Sequence, residues 1–244
     1  MINKILKKFG LLLVTEKFTK NIYNPKIEEI SHFDEKNILK YREYSAVSFV
    51  NLYSLISALK FIKNNKVQGD LIECGVYKGG CAMLLSAYNN YYDLNRDVYA
   101  YDTYEGMKPK NNDIDKRFDG TLAYNIWKKN NKSWLECSLK DVKNNFKKAN
   151  IDMNKTIFIK GKVENTLKKK LPKSVSLLRL DLDLYEPTML ALETFFHLMP
   201  SKSIIYIDDY NHWKGCRLAV DKFFKNKNTY SHYVDPACKL YIKI

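Results

Sequence analysis

The feature that most constrains this chain is a repeated alternation. Five short apolar runs, DLIECG (70–75), DVYAYD (97–102), TIFIKG (156–161), VSLLRLD (175–181) and SIIYID (203–208), are separated by longer segments, several with apolar residues at helical spacing. Runs of that length read as strands, and strands separated by helices must lie parallel, because the returning chain needs a long right-handed crossover. The final two runs, TYSHYVD (229–235) and KLYIKI (239–244), are separated only by PAC, too little for a crossover helix, so they must pair antiparallel. The expected fold is α/β: a Rossmann-like doubly wound sheet, mostly parallel and seven-stranded, with a C-terminal antiparallel hairpin and N-terminal helices. Residues 1–66 read as a helical extension and residues 67–244 as the sheet domain. Its 45% hydrophobic content is enough for a substantial core.

Within the extension, Ile2, Ile5, Leu6, Phe9, Leu12 and Leu13 fall near helical spacing with Lys4, Lys7 and Lys8 between them, which predicts an amphipathic first helix. Residues 21–44 read as polar and irregular, and SFVNLYSLISALKFIKNN as a helix whose basic last turn suits its dipole. No segment approaches the roughly 18 apolar residues of a membrane-spanning helix, and the start lacks a small-residue cleavage site. Five scattered cysteines, Cys74, Cys81, Cys137, Cys216 and Cys238, show no C-x-x-C pair and fit a reduced, cytoplasmic protein, expected to be a homo-oligomer. The net charge is +14, which raises nucleic acid as a partner, yet the positive charge is nearly all lysine. Residues 181–209 invert that balance, with six acids against the single base Lys202. Nucleic acid is therefore disfavoured.

Ligands of open α/β sheets bind at the carboxyl ends of the strands, and the acids sit there. The first strand ends E-C-G-V-Y-K-G-G (73–80), a glycine turn that does not match G-x-G-x-x-G. The second ends at Asp102, 22 residues after Gly80, where an acid can bind the ribose hydroxyls of an adenosine cofactor. Without a G-K-[ST] loop, a nucleoside triphosphate does not fit. The fourth strand ends at Asp181 and the fifth at Asp208 and Asp209. Three carboxylates at neighbouring strand ends repel unless a cation neutralises them or one holds a proton, and an all-carboxylate set suits a hard divalent ion, Mg²⁺ first, with Mn²⁺ or Ca²⁺ as alternatives. The competing explanation is that these acids cap the helices that follow. His212 reads as a solvated loop residue, with contact to the acceptor or a role as a base as the alternative, and Tyr185 and Trp213 as either sugar-stacking or packing residues.

Taken together, GDLIECGVYKGG, YDTYEGM, LLRLDLDLYEPTMLALE and IIYIDDYNHWKGCRLAVDKF resemble the macrocin O-methyltransferase family, class I S-adenosylmethionine-dependent enzymes that methylate sugar hydroxyls. The resemblance runs from about residue 41 to the C-terminus. It implies that 67–244 is a methyltransferase domain and that S-adenosylmethionine and Mg²⁺ are its cofactors. Glu73, Gly75 and Asp102 would face S-adenosylmethionine, with Tyr77, Gly79 and Thr103 beside them in the same turns, while Asp181, Asp208 and Asp209 would hold the metal. The implied acceptor is a small-molecule sugar or nucleotide sugar, whose hydroxyl proton Asp181, or second Asp183, would take. An RNA or DNA methyltransferase using the basic surface is the alternative within the same fold. Two departures are visible: Leu182 where the family often has Gly, and Pro-Ser-Lys-Ser (200–203) where a Pro-Gly-Gly turn is usual. The insertion at 106–134 and the first forty residues match poorly, and acceptor specificity is expected there.

Overall fold

The computed structural model describes residues 29–131 and 134–244. The expected first helix lies outside them. In chain order the elements are α1 (His32–Arg42), α2 (Phe49–Asn64), β1 (Asp70–Cys74), α3 (Gly80–Tyr91), β2 (Val98–Asp102), α4 (Ala123–Lys129), α5 (Leu139–Lys148), β3 (Thr156–Lys160), α6 (Val163–Thr166), β4 (Val175–Leu180), α7 (Tyr185–Phe196), β5 (Ile204–Ile207), α8 (Lys214–Phe224), β6 (Thr229–Tyr233) and β7 (Lys239–Lys243). The seven strands form one sheet in the order β3-β2-β1-β4-β5-β7-β6. The first five strands are parallel, and β7 runs antiparallel between β5 and β6. The fold expected from the alternation of runs is the fold observed.

Side chains on a strand alternate between faces, and the two cores follow that period. Leu71, Val98, Ala100, Leu177 and Tyr206 pack on one face with α1, α2, α3 and α5; Ile72, Tyr99, Tyr101, Leu178 and Ile205 pack on the other with α7 and α8. By the same parity Glu73 and Arg179, register partners on β1 and β4, share the first face. Two charged residues thus stand in a row of buried aliphatics.

Residues 21–44 are not uniformly irregular, since α1 occupies His32–Arg42. Its apolar content is low, but the Ser31 side chain accepts from the Asp34 N–H, Asp34 and Glu35 sit in the first turn, and Lys40 and Arg42 in the last. End effects of this kind stabilise a helix that burial alone would leave marginal. Only Ile38 and Tyr41 are buried, so the apolar period was too sparse to register in the sequence. Helix α2 is capped by Ser48, which also donates to Asp235 at 2.7 Å and so ties the helix to the loop between β6 and β7.

Candidate active site

The parallel ladder continues past the assigned strands. Asp181 N–H donates to the Cys74 carbonyl at 2.8 Å, Asp208 N–H to the Leu180 carbonyl at 3.0 Å, and Gly75 N–H to the Tyr101 carbonyl at 2.9 Å. These bonds hold the ends of β2, β1, β4 and β5 side by side. Their side chains line one cavity of about 310 Å³, which receives Glu73, Gly75, Tyr77, Asp102, Thr103, Asp181, Asp183, Asp208 and Asp209. Gly79 lies outside the lining: it is the left-handed N-cap of α3, against Phe146, Val142 and Met83.

The glycine turn is shaped by its neighbours. A Cβ on Gly75, whose φ is +89°, would overlap the carbonyl oxygen of Asp181. Its missing side chain lets the ends of β1 and β4 approach. Asp102 braces the same turn, with Oδ2 accepting from Val76 N at 2.6 Å and Tyr77 N at 3.2 Å, and Oδ1 from Tyr104 N at 2.6 Å. Thr103 Oγ1 lies a further 3.4 Å from Oδ1, but its single proton is better placed on the Gly106 carbonyl at 2.9 Å; of the roughly four acceptor positions of a carboxylate, one is then left for a hydroxyl donor.

Asp181, Asp208 and Asp209 each present a carboxylate oxygen, all within 4.8 Å of one another. The cation that holds two of them is Arg179, which the sequence reading left unassigned. Its side chain is 1% exposed, and Nη1 donates to Glu73 Oε1 at 2.7 Å while Nη2 reaches Asp181 Oδ2 at 2.9 Å and Asp208 Oδ2 at 3.2 Å. Asn51, on α2, donates to Asp208 Oδ1 at 2.7 Å. The signal was present: an arginine inside an otherwise apolar strand needs a buried acid, and Glu73 is the acid at the matching position of β1. What the sequence could not reveal was that its other nitrogen reaches the metal candidates.

One guanidinium does not balance this cluster. Burial, opposed by Arg179 and reinforced by the neighbouring acids, holds the Asp181 carboxyl well above the usual range; burial and the neighbouring acids do the same to Asp209. Burial and the charge of Asp181 push Asp183 up to about 7. Burial likewise lifts Glu73 to about 8. Asp209 Oδ2 and Glu73 Oε2 are buried without a hydrogen-bond partner among the described residues. Orphaned buried oxygens need an explanation, and a bound cation at the first and a cofactor donor at the second would each supply one. The residues therefore fit both groups: three hard oxygen donors for a divalent ion, and a cavity with an acid, a glycine turn and a braced second acid for a nucleoside cofactor.

Other side chains bear on the remaining readings. Trp213 is buried against Trp134 at 5.6 Å, and so is a packing residue. Exposed His212 brings Nδ1 to 3.3 Å from Asp209 Oδ1. Glu186 does not cap α7 through a side-chain bond to its amides; it pairs with Lys110 of the insertion, and the cap is Asp115, whose Oδ1 accepts from Tyr185 N at 2.8 Å.

A doubly wound sheet in this strand order, with a cavity at the ends of β1 and β2, is the fold of class I methyltransferases. The sequence profile described as Macrocin-O-methyltransferase (TylF) matches residues 36–240, and the chain belongs to that family of O-methyltransferases. It is similar to the demethyldecarbamoylnovobiocin O-methyltransferase of Streptomyces niveus, 27% identical over 184 residues that cover 74% of this chain and 67% of that one. It is also similar to the mycinamicin III 3''-O-methyltransferase of Micromonospora griseorubida, 26% identical over 181 residues, 74% of this chain and 70% of that one. Among solved structures, the O-methyltransferase NovP superposes with a TM-score of 0.72 at 21% identity, covering 92% of this chain and 93% of that one, which establishes the shared fold.

Proposed function

We propose that the protein transfers the methyl group of S-adenosylmethionine to a sugar hydroxyl with the help of Mg²⁺, the sugar being a nucleotide-activated precursor, a glycan or part of a glycosylated natural product. The observation that carries this reading is the carboxylate trio, with its orphaned Asp209 oxygen, in the same cavity as Glu73, Gly75 and Asp102. Family membership supports it, as does the rhamnosyl group in the name of a further similar enzyme, the 8-demethyl-8-(2,3-dimethoxy-alpha-L-rhamnosyl)-tetracenomycin-C 4'-O-methyltransferase of Streptomyces olivaceus, 28% identical over 189 residues.

The sulfonium methyl is already activated, so the protein must orient an oxygen nucleophile in line with it and exclude water. Asp102 would receive a ribose hydroxyl and Glu73 Oε2 a donor of the cofactor, with Gly75, Tyr77 and Thr103 lining the cavity around it and Gly79 starting α3 behind the turn. Asp181, Asp208 and Asp209 would hold the Mg²⁺, which when bound lowers the pKa of a hydroxyl it touches. Asp183 takes the hydroxyl proton. It lines the cavity but stands outside the trio, whereas Asp181 belongs to the trio and already has Oδ2 on Arg179. A carboxylate so engaged is a poor proton acceptor, which puts Asp183 ahead of Asp181.

The test is a panel of acceptors, nucleotide sugars, glycosides and RNA, with labelled S-adenosylmethionine and product analysis. Label on a sugar oxygen is expected, with Asp183→Asn losing turnover by at least about 100-fold while still binding S-adenosylhomocysteine. Label on RNA alone would overturn the assignment of the acceptor.

A further inference from the structure

We infer that Arg179 is a positioning residue that makes Asp181 and Asp208, at the ends of β4 and β5, offer a divalent cation one oxygen each, and thereby sets a preference for a small six-coordinate ion over Ca²⁺. This rests on the metal-dependent reading above and adds to it the residue that decides which ion is taken.

The argument starts from a charge that cannot move. A guanidinium keeps its proton in any protein environment, and Arg179 is enclosed at 1% exposure, anchored by Glu73 at 2.7 Å. Its Nη2 occupies Asp181 Oδ2 and Asp208 Oδ2 at 2.9 and 3.2 Å. A second cation on those same two oxygens would sit beside the first with little solvent to screen them. It is left with the other oxygen of each acid. On Asp208 that oxygen is Oδ1, aimed by the neutral Asn51 amide, which takes one lone pair and leaves the other. On Asp209, Oδ1 faces His212 and the buried Oδ2 is without a partner among the described residues. The protein thus offers three single oxygens.

Ion chemistry gives that number its meaning. Ca²⁺ takes six to eight oxygens and commonly uses both atoms of a carboxylate, whereas Mg²⁺ requires near-octahedral geometry and readily keeps several waters. Three protein oxygens leave three positions of an octahedron, enough for water or for two adjacent acceptor hydroxyls and one water. They leave a calcium ion poorly filled. Partners that orient metal ligands in this way typically change affinity by about 10–100-fold.

Mn²⁺ serves as the probe, bound to the purified full chain in ¹⁷O-enriched water without cofactor or acceptor, with its water ligands counted by electron–nuclear double resonance. Three waters are expected. Displacement of Mn²⁺ by Mg²⁺ and by Ca²⁺ is then compared in the wild type and in the double variant Glu73→Gln with Arg179→Gln, which replaces the buried ion pair by two amides. The variant should shift the Ca²⁺-to-Mg²⁺ preference towards Ca²⁺ by about tenfold or more. Two or fewer waters on the wild-type ion, or an unchanged preference in a folded double variant, would overturn the role of Arg179 while leaving the metal site standing. Should the variant not fold, the wild-type water count decides. A wild type that binds no Mn²⁺ removes the metal reading itself.

Discussion

At the residue scale, the glycine at position 75 and the lysine at position 202 make opposite predictions. Gly75→Ala places a Cβ into the Asp181 carbonyl at a φ of +89°, so it should cost about 3 kcal/mol or more in a denaturant titration and disrupt the approach of β1 to β4. Gly120→Ala is the control: its φ is +90° but nothing lies within 4 Å of the added atom, and roughly 1 kcal/mol of backbone strain is expected. Lys202 adopts a φ of +68° in the turn where the family usually has glycine. Lys202→Gly should therefore stabilise the protein by about 1 kcal/mol; an unchanged or lower midpoint would contradict that account of the turn. Residue identities at strand ends were readable in the sequence because acids are conspicuous after apolar runs. Arg179 was not, since one arginine inside VSLLRLD carries no label for which acids it will meet until the register of β1 on β4 is known.

At the scale of elements, the seven strands and the helices α2, α3, α5 and α7 were legible from their apolar periods. The short helices α4 and α6 and the capped α1 were not, because end effects and tertiary packing sustain them. The insertion is the clearest case. Its Asp115 is buried, caps α7 at Tyr185, and lies where a Cβ on Gly215 would overlap its Oδ1. The glycine of G-C-R thus exists to admit Asp115. Arg117 adds a bridge to Trp213 and stacks on its ring at 5.5 Å. Asp115→Ala should cost about 1–2 kcal/mol through loss of the cap and make the segment around 106–131 more readily cleaved by a protease. Equal cleavage of variant and wild type would show that the insertion is held by other contacts. Because Met107, Lys108, Lys110 and Asp115 line the cavity, the same variant should weaken acceptor use more than cofactor binding.

At the scale of the whole molecule, a chain of net charge +14 concentrates acid where its sheet ends meet. The positive charge is nearly all lysine, while the cavity presents carboxylates to whatever enters, so the net charge does not describe the surface that an acceptor meets. Among the described residues no helix is long and apolar enough to cross a membrane. A cation relieving the repulsion within the trio should also stabilise the fold, by about 2.7 kcal/mol at a concentration one hundred times its Kd, so Mg²⁺ should raise the Tm of the wild type and leave that of Asp209→Asn unmoved. The most direct measurement is methyl transfer to a sugar hydroxyl by protein stripped with a chelator and then resupplied with Mg²⁺, in the wild type and in Asp209→Asn. The carboxylate site predicts turnover that disappears with the chelator, returns with the ion and is absent in the variant, while both proteins still bind S-adenosylhomocysteine. Full turnover in the stripped wild type, or in Asp209→Asn, would contradict it.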